Sequence, residues 1–444
     1  MIYLRTVVAT FALFARCALG QKYVFAHVVV GNTAAHSQST WENDITLAMD
    51  SGIDAFALNC GYPDSNIPTQ VANAFAAAEA LAASGSNFKL FFSFDYLGGG
   101  ETWPATGSNS VASYLNQYVS TTAYFKFQGI PFVSTFEGTG NIADWAQGGP
   151  IRSAAGNLYF VPDWTSLGPS GISSYLNNIE GFFSWDMWPE GATNKTDSSD
   201  LAWQAATPGK TYMMGVSPWF FHSGDGTPDW VWRGDDLWAD RWSQTLAVNP
   251  EFIEIVTWND FGESHYIGPI RDESEIHAGS AIYVEGSPHD SWRDFLPYYI
   301  AKYKGSTFDI TTDQMQYWYH TAPTAGGSTC GVVGNDPDYQ TQLSPNVIVE
   351  DGIFFSALLM SDAVVAVQVG NYPAVSYSGS QGINHWSQPF DGQTGAPKFS
   401  IIRNGAVVSS ATGTPITPST SLSNGCTNYN AWVGSFQGPG QNLP

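Results

Sequence analysis

Residues Thr257-Trp258-Asn259-Asp260-Phe261-Gly262-Glu263-Ser264-His265 follow directly on an apolar run containing Phe252, Ile253, Ile255 and Val256. The cluster places two carboxylates three positions apart, beside an imidazole and two large aromatic rings. One carboxylic acid and one carboxylate flanking a bond are what acid–base hydrolysis of a glycosidic linkage requires: the acid protonates the leaving oxygen, and the carboxylate activates water or attacks the anomeric carbon. Trp258, Phe261 and His265 would desolvate one carboxyl group and lift its pKa while the other stays ionised. Gly262 would let the loop turn so that both side chains aim the same way. Asp260 and Glu263 are therefore the catalytic candidates, with Trp258 and His265 as supporting groups. A bare D-x-x-E spacing is common on solvated surfaces, so its meaning depends on the element that carries it.

Upstream of this cluster the chain repeats one phrase: an apolar strand-like run, a polar or aromatic residue at its end, a Gly/Pro-rich loop, then a helical pattern. Eight strands are expected, at Tyr23 to Val30, Asp54 to Asn59, Lys89 to Asp95, Pro131 to Glu137, Leu158 to Asp163, Gly181 to Trp188, Thr211 to Trp219 and Phe252 to Asp260. Between them lie helix signals such as Ser39-x-x-Glu42 ahead of Ile45, and the alanine-rich stretch after Thr69. Alternating strands and helices imply a parallel sheet, and eight units favour a closed (β/α)8 TIM barrel over an open doubly wound sheet. No GxGxxG or GxxxxGK follows the first strand, so a nucleotide fold is disfavoured. In such a barrel the active site lies at the C-terminal strand ends. Those ends are His27, Asn59, Asp95, Glu137, Asp163, Asp186, Ser217 with Trp219, and Asp260. Each carboxylate alone also suits a helix cap, but their convergence on one rim favours a site.

Beyond about residue 325 the composition turns to Gly, Ser, Thr, Pro and Asn with short Val/Ile runs at Asn346 to Glu350, Ile353 to Leu359, Val364 to Val369, Lys398 to Ile402 and Ala431 to Gln437. This reads as an all-β sandwich. The expected division is a signal peptide over 1–20, the barrel over 21–306, a linking region over 307–342 and the sandwich over 343–444. Arg5, the apolar run Val7 to Phe14 and the small residues Ala18 and Gly20 carry the signal-peptide reading, which places the mature protein outside the cell or in the cell wall. Of the cysteines left after cleavage, Cys330 and Cys426 are paired as a disulfide and Cys60 is expected to be buried and free. Asn194-Lys195-Thr196 is a glycosylation sequon.

Charge narrows the partner. Lys+Arg 16 against Asp+Glu 39 gives a net charge of -23, which lacks the basic patches that nucleic acid or an anionic membrane surface needs. Trp 17 and Tyr 21 with few cations suit a neutral, hydroxyl-rich ligand that stacks on flat rings. Trp164, Trp185, Trp188, Trp219, Trp230, Trp232, Trp238 and Trp242 are divided between core and cleft by this reading. The absence of HExxH, HxH, CxxC and GxSxG demotes metal and serine chemistry. No cofactor and no metal are expected, and His222, His277 and His289 read as ordinary core or surface histidines.

Four pieces in order carry a family likeness: Phe25-Ala26-His27 with Val30-Gly31-Asn32-Thr33, Gly52 to Asn59, Phe92-Ser93-Phe94-Asp95, and Thr257 to Ser264. Together they resemble fungal glycoside hydrolase family 71, the α-1,3-glucanases or mutanases. The resemblance implies a barrel with an appended β-domain, an inverting mechanism on α-1,3-glucan, Asp260 and Glu263 as the catalytic carboxylates, and Asp95 as important for activity. The expectation is an endo-acting monomer in which Asp260, as base, activates water and Glu263, as acid, protonates the leaving oxygen, or the reverse. Asp95, Asn59, His27, Glu137, Asp163, Asp186 and Trp219 bind substrate or support the pair. Two other readings stand beside it: a barrel hydrolase of another polysaccharide, and a silent polysaccharide-binding wall protein.

Overall fold

The structure is a computed structural model that describes residues 20–224, 228–418, 425–438 and 441–442. The signal-peptide reading, apart from Gly20, lies outside the described residues. Eight parallel strands close into a ring: β1 (Tyr23–Val29), β2 (Ala55–Gly61), β3 (Lys89–Asp95), β4 (Ile130–Phe136), β5 (Tyr159–Asp163), β6 (Gly181–Ser184), β7 (Thr211–Val216) and β8 (Phe252–Ile255). Each pairs with the next, and β8 returns to β1 with Tyr23 opposite Phe252 and Ala26 opposite Ile255. This is the (β/α)8 barrel expected from the alternating pattern.

Strand alternation sorts the side chains into an outer coat and inner layers. At the floor, Phe25, Phe91, Phe132 and Phe252 make edge-to-face, tilted and stacked contacts with centroids 4.8–5.8 Å apart, and fill the barrel with rings. Two residues further along the same strands, the inward positions become His27, Ser93, Ser134 and Glu254, all buried. The barrel is therefore apolar at its base and polar toward its mouth, a gradient written as a two-residue step along each strand. The outward side chains, among them Phe92 against Phe75, Tyr114 and Tyr118, pack on the surrounding helices α1 (Gln38–Asp50), α2 (Ile67–Ala83) and α3 (Val111–Tyr118). The first of these begins two residues before the expected cap: Ser37 accepts from the Thr40 N–H and Thr40 Oγ1 accepts from the Ser37 N–H. A hydroxyl at Thr40 serves the reciprocal role that Glu42 would have served from Ser39.

On the other side of the ring, α4 (Ser198–Ala206) and α5 (Leu237–Val248) are joined by a fully buried ion pair. Arg241 donates to both oxygens of Asp200 at 2.7 and 3.1 Å and to the Gly215 carbonyl of β7 at 2.7 Å, while Tyr212 donates to Asp200 at 2.9 Å. The last barrel helix, α6 (Leu296–Tyr303), follows a 3-10 turn over Asp290–Phe295.

The C-terminal part is a two-sheet sandwich built from β9 (Gln314–Tyr319), β10 (Gly352–Leu359), β11 (Ala363–Val369), β12 (Val375–Gly379), β13 (Gly382–Pro389), β14 (Pro397–Arg403), β15 (Ala406–Thr412) and β16 (Trp432–Gln437). One sheet runs β13-β10-β9-β16 with Gln441–Asn442 at its edge, and the other runs β12-β11-β14-β15. Two expectations need correction. Gln314–Tyr319, inside the stretch read as a link, is an internal strand of the first sheet. Its Gln-Met-Gln-Tyr-Trp-Tyr sequence carries strand-forming aromatic residues but none of the Val/Ile runs that mark the other strands of this part. The run Asn346 to Glu350 is not a strand: Pro345–Ile348 forms a short helix started by its proline.

β9 also shows how the two parts are joined. Met315, Tyr317 and Tyr319 belong to the sandwich core, whereas Trp318 on the opposite face belongs to the barrel core, with its ring 4.8 Å from that of Trp292 and its Nε1–H donating to the Asp235 carbonyl at 2.7 Å. β10 does the same, with Ile353, Phe355, Ala357 and Leu359 on one side and Phe354 and Leu358 on the other. Cys330 and Cys426, with Cα atoms 5.6 Å apart, are disulfide-bonded, and Cys60 is free and buried.

Replacing Asp200 by Ala leaves the Arg241 charge buried without its counter-ion. The expected loss is about 3–5 kcal/mol of folding stability, measured by denaturant unfolding; a loss below about 1 kcal/mol would show that the pair is not needed to hold α4 and α5 to the barrel.

Candidate active site

The loop after β8 is held on three sides. Across its own neck, the Thr257 N–H donates to the His265 carbonyl at 3.1 Å, Ile267 N–H to the Thr257 carbonyl at 2.9 Å and Gly268 N–H to the Trp258 carbonyl at 2.7 Å. Toward β1, Asn259 accepts from the Val29 N–H at 2.8 Å and donates to the Val29 carbonyl at 3.0 Å, and Trp258 N–H donates to the His27 carbonyl at 2.7 Å. Toward the loop after β7, the Phe221 N–H and Ser223 N–H donate to the carbonyls of Glu263 and Gly262 at 3.0 and 2.9 Å. The left-handed residue of the turn is Ser264, at φ 59°, and not Gly262, whose missing Cβ would meet only ordinary contacts at 3.5 and 3.8 Å. The glycine is thus not the geometric reason for the turn.

This clamp brings Asp260, Glu263 and His265 together, with one side-chain donor or acceptor atom of each within 4.8 Å of the others. His265 Nε2 lies 2.7 Å from Glu263 Oε2, and His265 Nδ1 lies 3.0 Å from Thr257 Oγ1. The same Thr257 oxygen accepts from the Asp260 N–H at 2.9 Å, and Asp260 Oδ1 accepts from the Glu263 N–H at 3.2 Å. Both imidazole nitrogens are engaged, so a cation in this cluster would have to break the His265–Glu263 contact. The two carboxyls sit in unequal surroundings. Burial first, and the Glu263 charge second, raise the Asp260 pKa. Glu263 keeps 28% of its side chain exposed, while burial of His265 pushes its pKa down to about 4, which favours the neutral ring.

Around this pair, the strand-end residues fall into three groups. Asn59 donates to Asp95 Oδ2 at 3.1 Å, and Asp95 Oδ1 accepts from the Leu97 and Gly98 N–H groups at 2.8 and 2.6 Å, so Asp95 is fixed at the rim of β3. Glu137 is likewise held by the Ser166 N–H and hydroxyl. Asp186 stays at the mouth but is paired with Lys195 at 2.8 Å. His27 lies lower, 2% exposed, with Nδ1 2.6 Å from Glu254 Oε1 and its ring edge-on to Trp185 at 5.2 Å. Glu254 was missed by sequence reading; its signal is a lone charge inside the run Phe252–Ile255, at an inward-facing position. Thr257 and Lys195 stand inside the segments Thr257–His265 and Asn194–Thr196 singled out from sequence but were given no role there.

Three expected site residues cannot touch a substrate. Asp163 is fully buried, with Oδ1 taken by the Thr165 N–H at 3.0 Å and hydroxyl at 2.5 Å. Trp219 is fully buried against Gly234 and donates to the Tyr429 carbonyl at 2.9 Å, so it fastens the β-domain to the barrel. Trp258 is buried between Phe56 and Arg293. Each ring follows an apolar strand, which draws it inward for the core. Trp164, Trp238 and Trp242 are also core residues. The partly exposed rings are Trp185, Trp230 and Trp232. Trp188 stacks on Trp232 at 5.2 Å and on His265 at 5.6 Å, extending an aromatic wall from the carboxylates. His222, read as ordinary, stacks on Trp230 at 3.9 Å and faces Asp260 electrostatically. His289 is buried between the Tyr266 and Ala431 carbonyls. Asn194 is exposed and donates to Asp236 at 3.1 Å.

A parallel eight-stranded barrel with a clamped, unequal carboxylate pair and an aromatic wall at its C-terminal mouth defines a hydrolase-type site for a neutral ligand. The chain belongs to glycosyl hydrolase family 71, whose family model matches residues 20–443, and it is a glycoside hydrolase. It is 34% identical over 441 residues to the glucan endo-1,3-alpha-glucosidase agn1 of Schizosaccharomyces pombe, covering 96% of this chain and 98% of that protein. It is 33% identical over 429 residues to the mutanase Pc12g07500 of Penicillium rubens, covering 94% and 89%. Among solved structures, the GH99 endo-alpha-mannosidase of Bacteroides thetaiotaomicron is similar with a TM-score of 0.44 and 14% identity, over 62% of this chain and 81% of that chain.

Burial, with the charges of Glu137 and Glu254, raises the Asp163 pKa well above the ordinary carboxylate range. Above about pH 3.9 the unfolded chain releases this proton and the folded chain does not, so Asp163 lowers stability progressively as pH rises toward its folded pKa. Asp163→Asn keeps an oxygen for Thr165 and removes that slope. The melting temperature of the variant relative to the parent should therefore increase from pH 4 to pH 7; an unchanged difference would contradict the buried-acid account.

Proposed function

We propose that this chain hydrolyses α-1,3-glucosidic bonds within α-1,3-glucan, outside the cell or in the cell wall. The observation that carries the reading is the Asp260–Glu263 pair, two carboxyls of unlike environment held on one clamped loop at the barrel mouth. The relatives named as a glucan endo-1,3-alpha-glucosidase and a mutanase, each aligned over most of both chains, support the polymer and the endo mode. Trp185 and Trp232, both partly exposed and packed on the buried Trp188, give the pyranose C–H faces of a neutral glucan a surface on which to stack. Among the described residues no helix is long and apolar enough to cross a membrane.

The stereochemical course has two readings. The family likeness supports inversion, in which a water stands between the base and the sugar and the carboxyls are about 6.5–9.5 Å apart. One carboxylate oxygen of Asp260 and one of Glu263 lie within 4.8 Å of each other, whereas in a retaining pair the two carboxyl groups stand about 5–5.5 Å apart.

Asp260→Asn and Glu263→Gln should each lower turnover of insoluble α-1,3-glucan by about 10²–10⁴-fold, read by reducing-sugar release; full activity in both would overturn the assignment of the pair. In the parent enzyme, NMR of the anomer first released from α-1,3-glucan distinguishes the two courses: β for inversion, α for retention. Release from α-1,4-glucan or mannan in place of α-1,3-glucan would overturn the substrate.

A further inference from the structure

A crossing of two backbone segments stands behind the loop that carries Glu263. The chain around Gly279 meets the loop after β7 at Gly224, and the two glycines touch. A Cβ on Gly279 would fall 1.9 Å from the Gly224 carbonyl oxygen and 2.7 Å from its Cα, and one on Gly224 would fall 2.2 Å from the Gly279 carbonyl carbon. Gly279 lies outside the left-handed region, so its conformation does not call for glycine; the contact does. The next residue, Ser280, is fully buried and donates its hydroxyl to the Ser223 carbonyl at 2.5 Å. Ser223 is thereby held at both backbone groups, since its N–H donates to the Gly262 carbonyl at 2.9 Å. Two residues earlier, the Phe221 N–H donates to the Glu263 carbonyl at 3.0 Å, and the Phe221 ring lies edge-on to Tyr283 at 5.2 Å. On its other side the segment supplies Ile276 and Val284 to an apolar cluster with Phe261 and Tyr266.

We infer that Gly279 and Ser280 are positioning residues: the segment Ile276–Val284 is a backstop that sets where the loop after β7 stands, and with it the backbone of Gly262 and Glu263. The inference rests on Glu263 working at the mouth, as proposed above. Non-bonded heavy atoms rest about 3.5 Å apart, so alanine at 279 must part the two backbones by on the order of 1 Å or more. The displacement has two outlets. If Gly224 yields, it carries Ser223 and Phe221, whose N–H groups are bonded to the carbonyls of Gly262 and Glu263. If Gly279 yields, it draws Ser280 off the Ser223 carbonyl and disturbs Ile276 and Val284, which pack with Phe261, the neighbour of Asp260 and Gly262 in the chain. Both lead to the same loop. Neither Gly279 nor Ser280 need touch substrate for this, because reacting groups tolerate little error: a misplacement of about 1 Å costs about 10²-fold in rate.

The test is turnover of a soluble α-1,3-linked gluco-oligosaccharide by the full chain. Gly279→Ala should lower kcat about 10²-fold with KM nearly unchanged. Ser280→Ala, which gives up one hydrogen bond, should lower kcat about 3–10-fold, again with KM nearly unchanged. Melting curves of each variant give its folded fraction, so that kcat is read per folded molecule. A variant that melts earlier yet keeps the parent kcat, or one that raises KM and leaves kcat alone, would show that the segment serves folding or binding and would overturn the inference. Should Gly279→Ala fail to fold, Ser280→Ala decides by the same readings. A parent chain with no turnover of α-1,3-linked glucan or oligosaccharide would instead overturn the glucanase reading on which the inference rests.

Discussion

Chemistry at this barrel mouth depends on a short loop being gripped from both of its neighbours. Thr257 to His265 could not hold two carboxylates in fixed relation alone, since a free loop of nine residues spends its time in many conformations. The neck hydrogen bonds close the loop, Asn259 ties it to the end of β1, and the backbone after β7 ties its tip. Backbone groups make most of these contacts, so the side chains of Asp260, Glu263 and His265 remain available to one another. A substituent that loosened the grip would alter the carboxylate spacing before it altered the fold.

Holding the pair close creates the asymmetry that acid–base chemistry needs. Two neighbouring carboxyls cannot both ionise cheaply, and the environment decides which gives way. Asp260 is raised by desolvation and by the Glu263 charge, while Glu263 keeps 28% of its side chain exposed and contacts Nε2 of the buried His265. Below them, a second polar layer of His27, Glu254 and Asp163 sits on a floor of phenylalanine rings. Burial costs these groups hydration, and their retention in the barrel interior shows that the site is supported from beneath and not only from the rim.

The β-domain is bonded into the same construction. β9 and β10 present one face to the sandwich core and the other to the barrel, so neither core is complete without the other. Trp219, next to the mouth, and Trp318 each donate an indole N–H across this junction. The tryptophans that the composition suggested for sugar contact are in good part the material of this joint and of the helical coat.

The barrel was legible because eight apolar runs, each ending in a polar residue, repeat a local pattern that needs no knowledge of contacts. The Asp260–Glu263 candidates were legible for the same reason, as charges at the end of such a run in a chain where charge is scarce. Glu254 was hidden by its apolar neighbours, and Gln314–Tyr319 by the lack of the Val/Ile runs that mark the other strands of the C-terminal part, although its Tyr and Trp residues are strand formers. Whether Trp219, Trp258 or Asp163 faces the cleft or the core is set by strand twist and by what packs behind each side chain, and neither is encoded in local spacing. The sequence by itself therefore determined the barrel, its C-terminal rim and the candidate carboxylates on it. Only the tertiary structure decided which residues are sealed away, because the groups that tie or bury them, such as Glu254 for His27 and Asn259 for Val29, come from more than two hundred positions off.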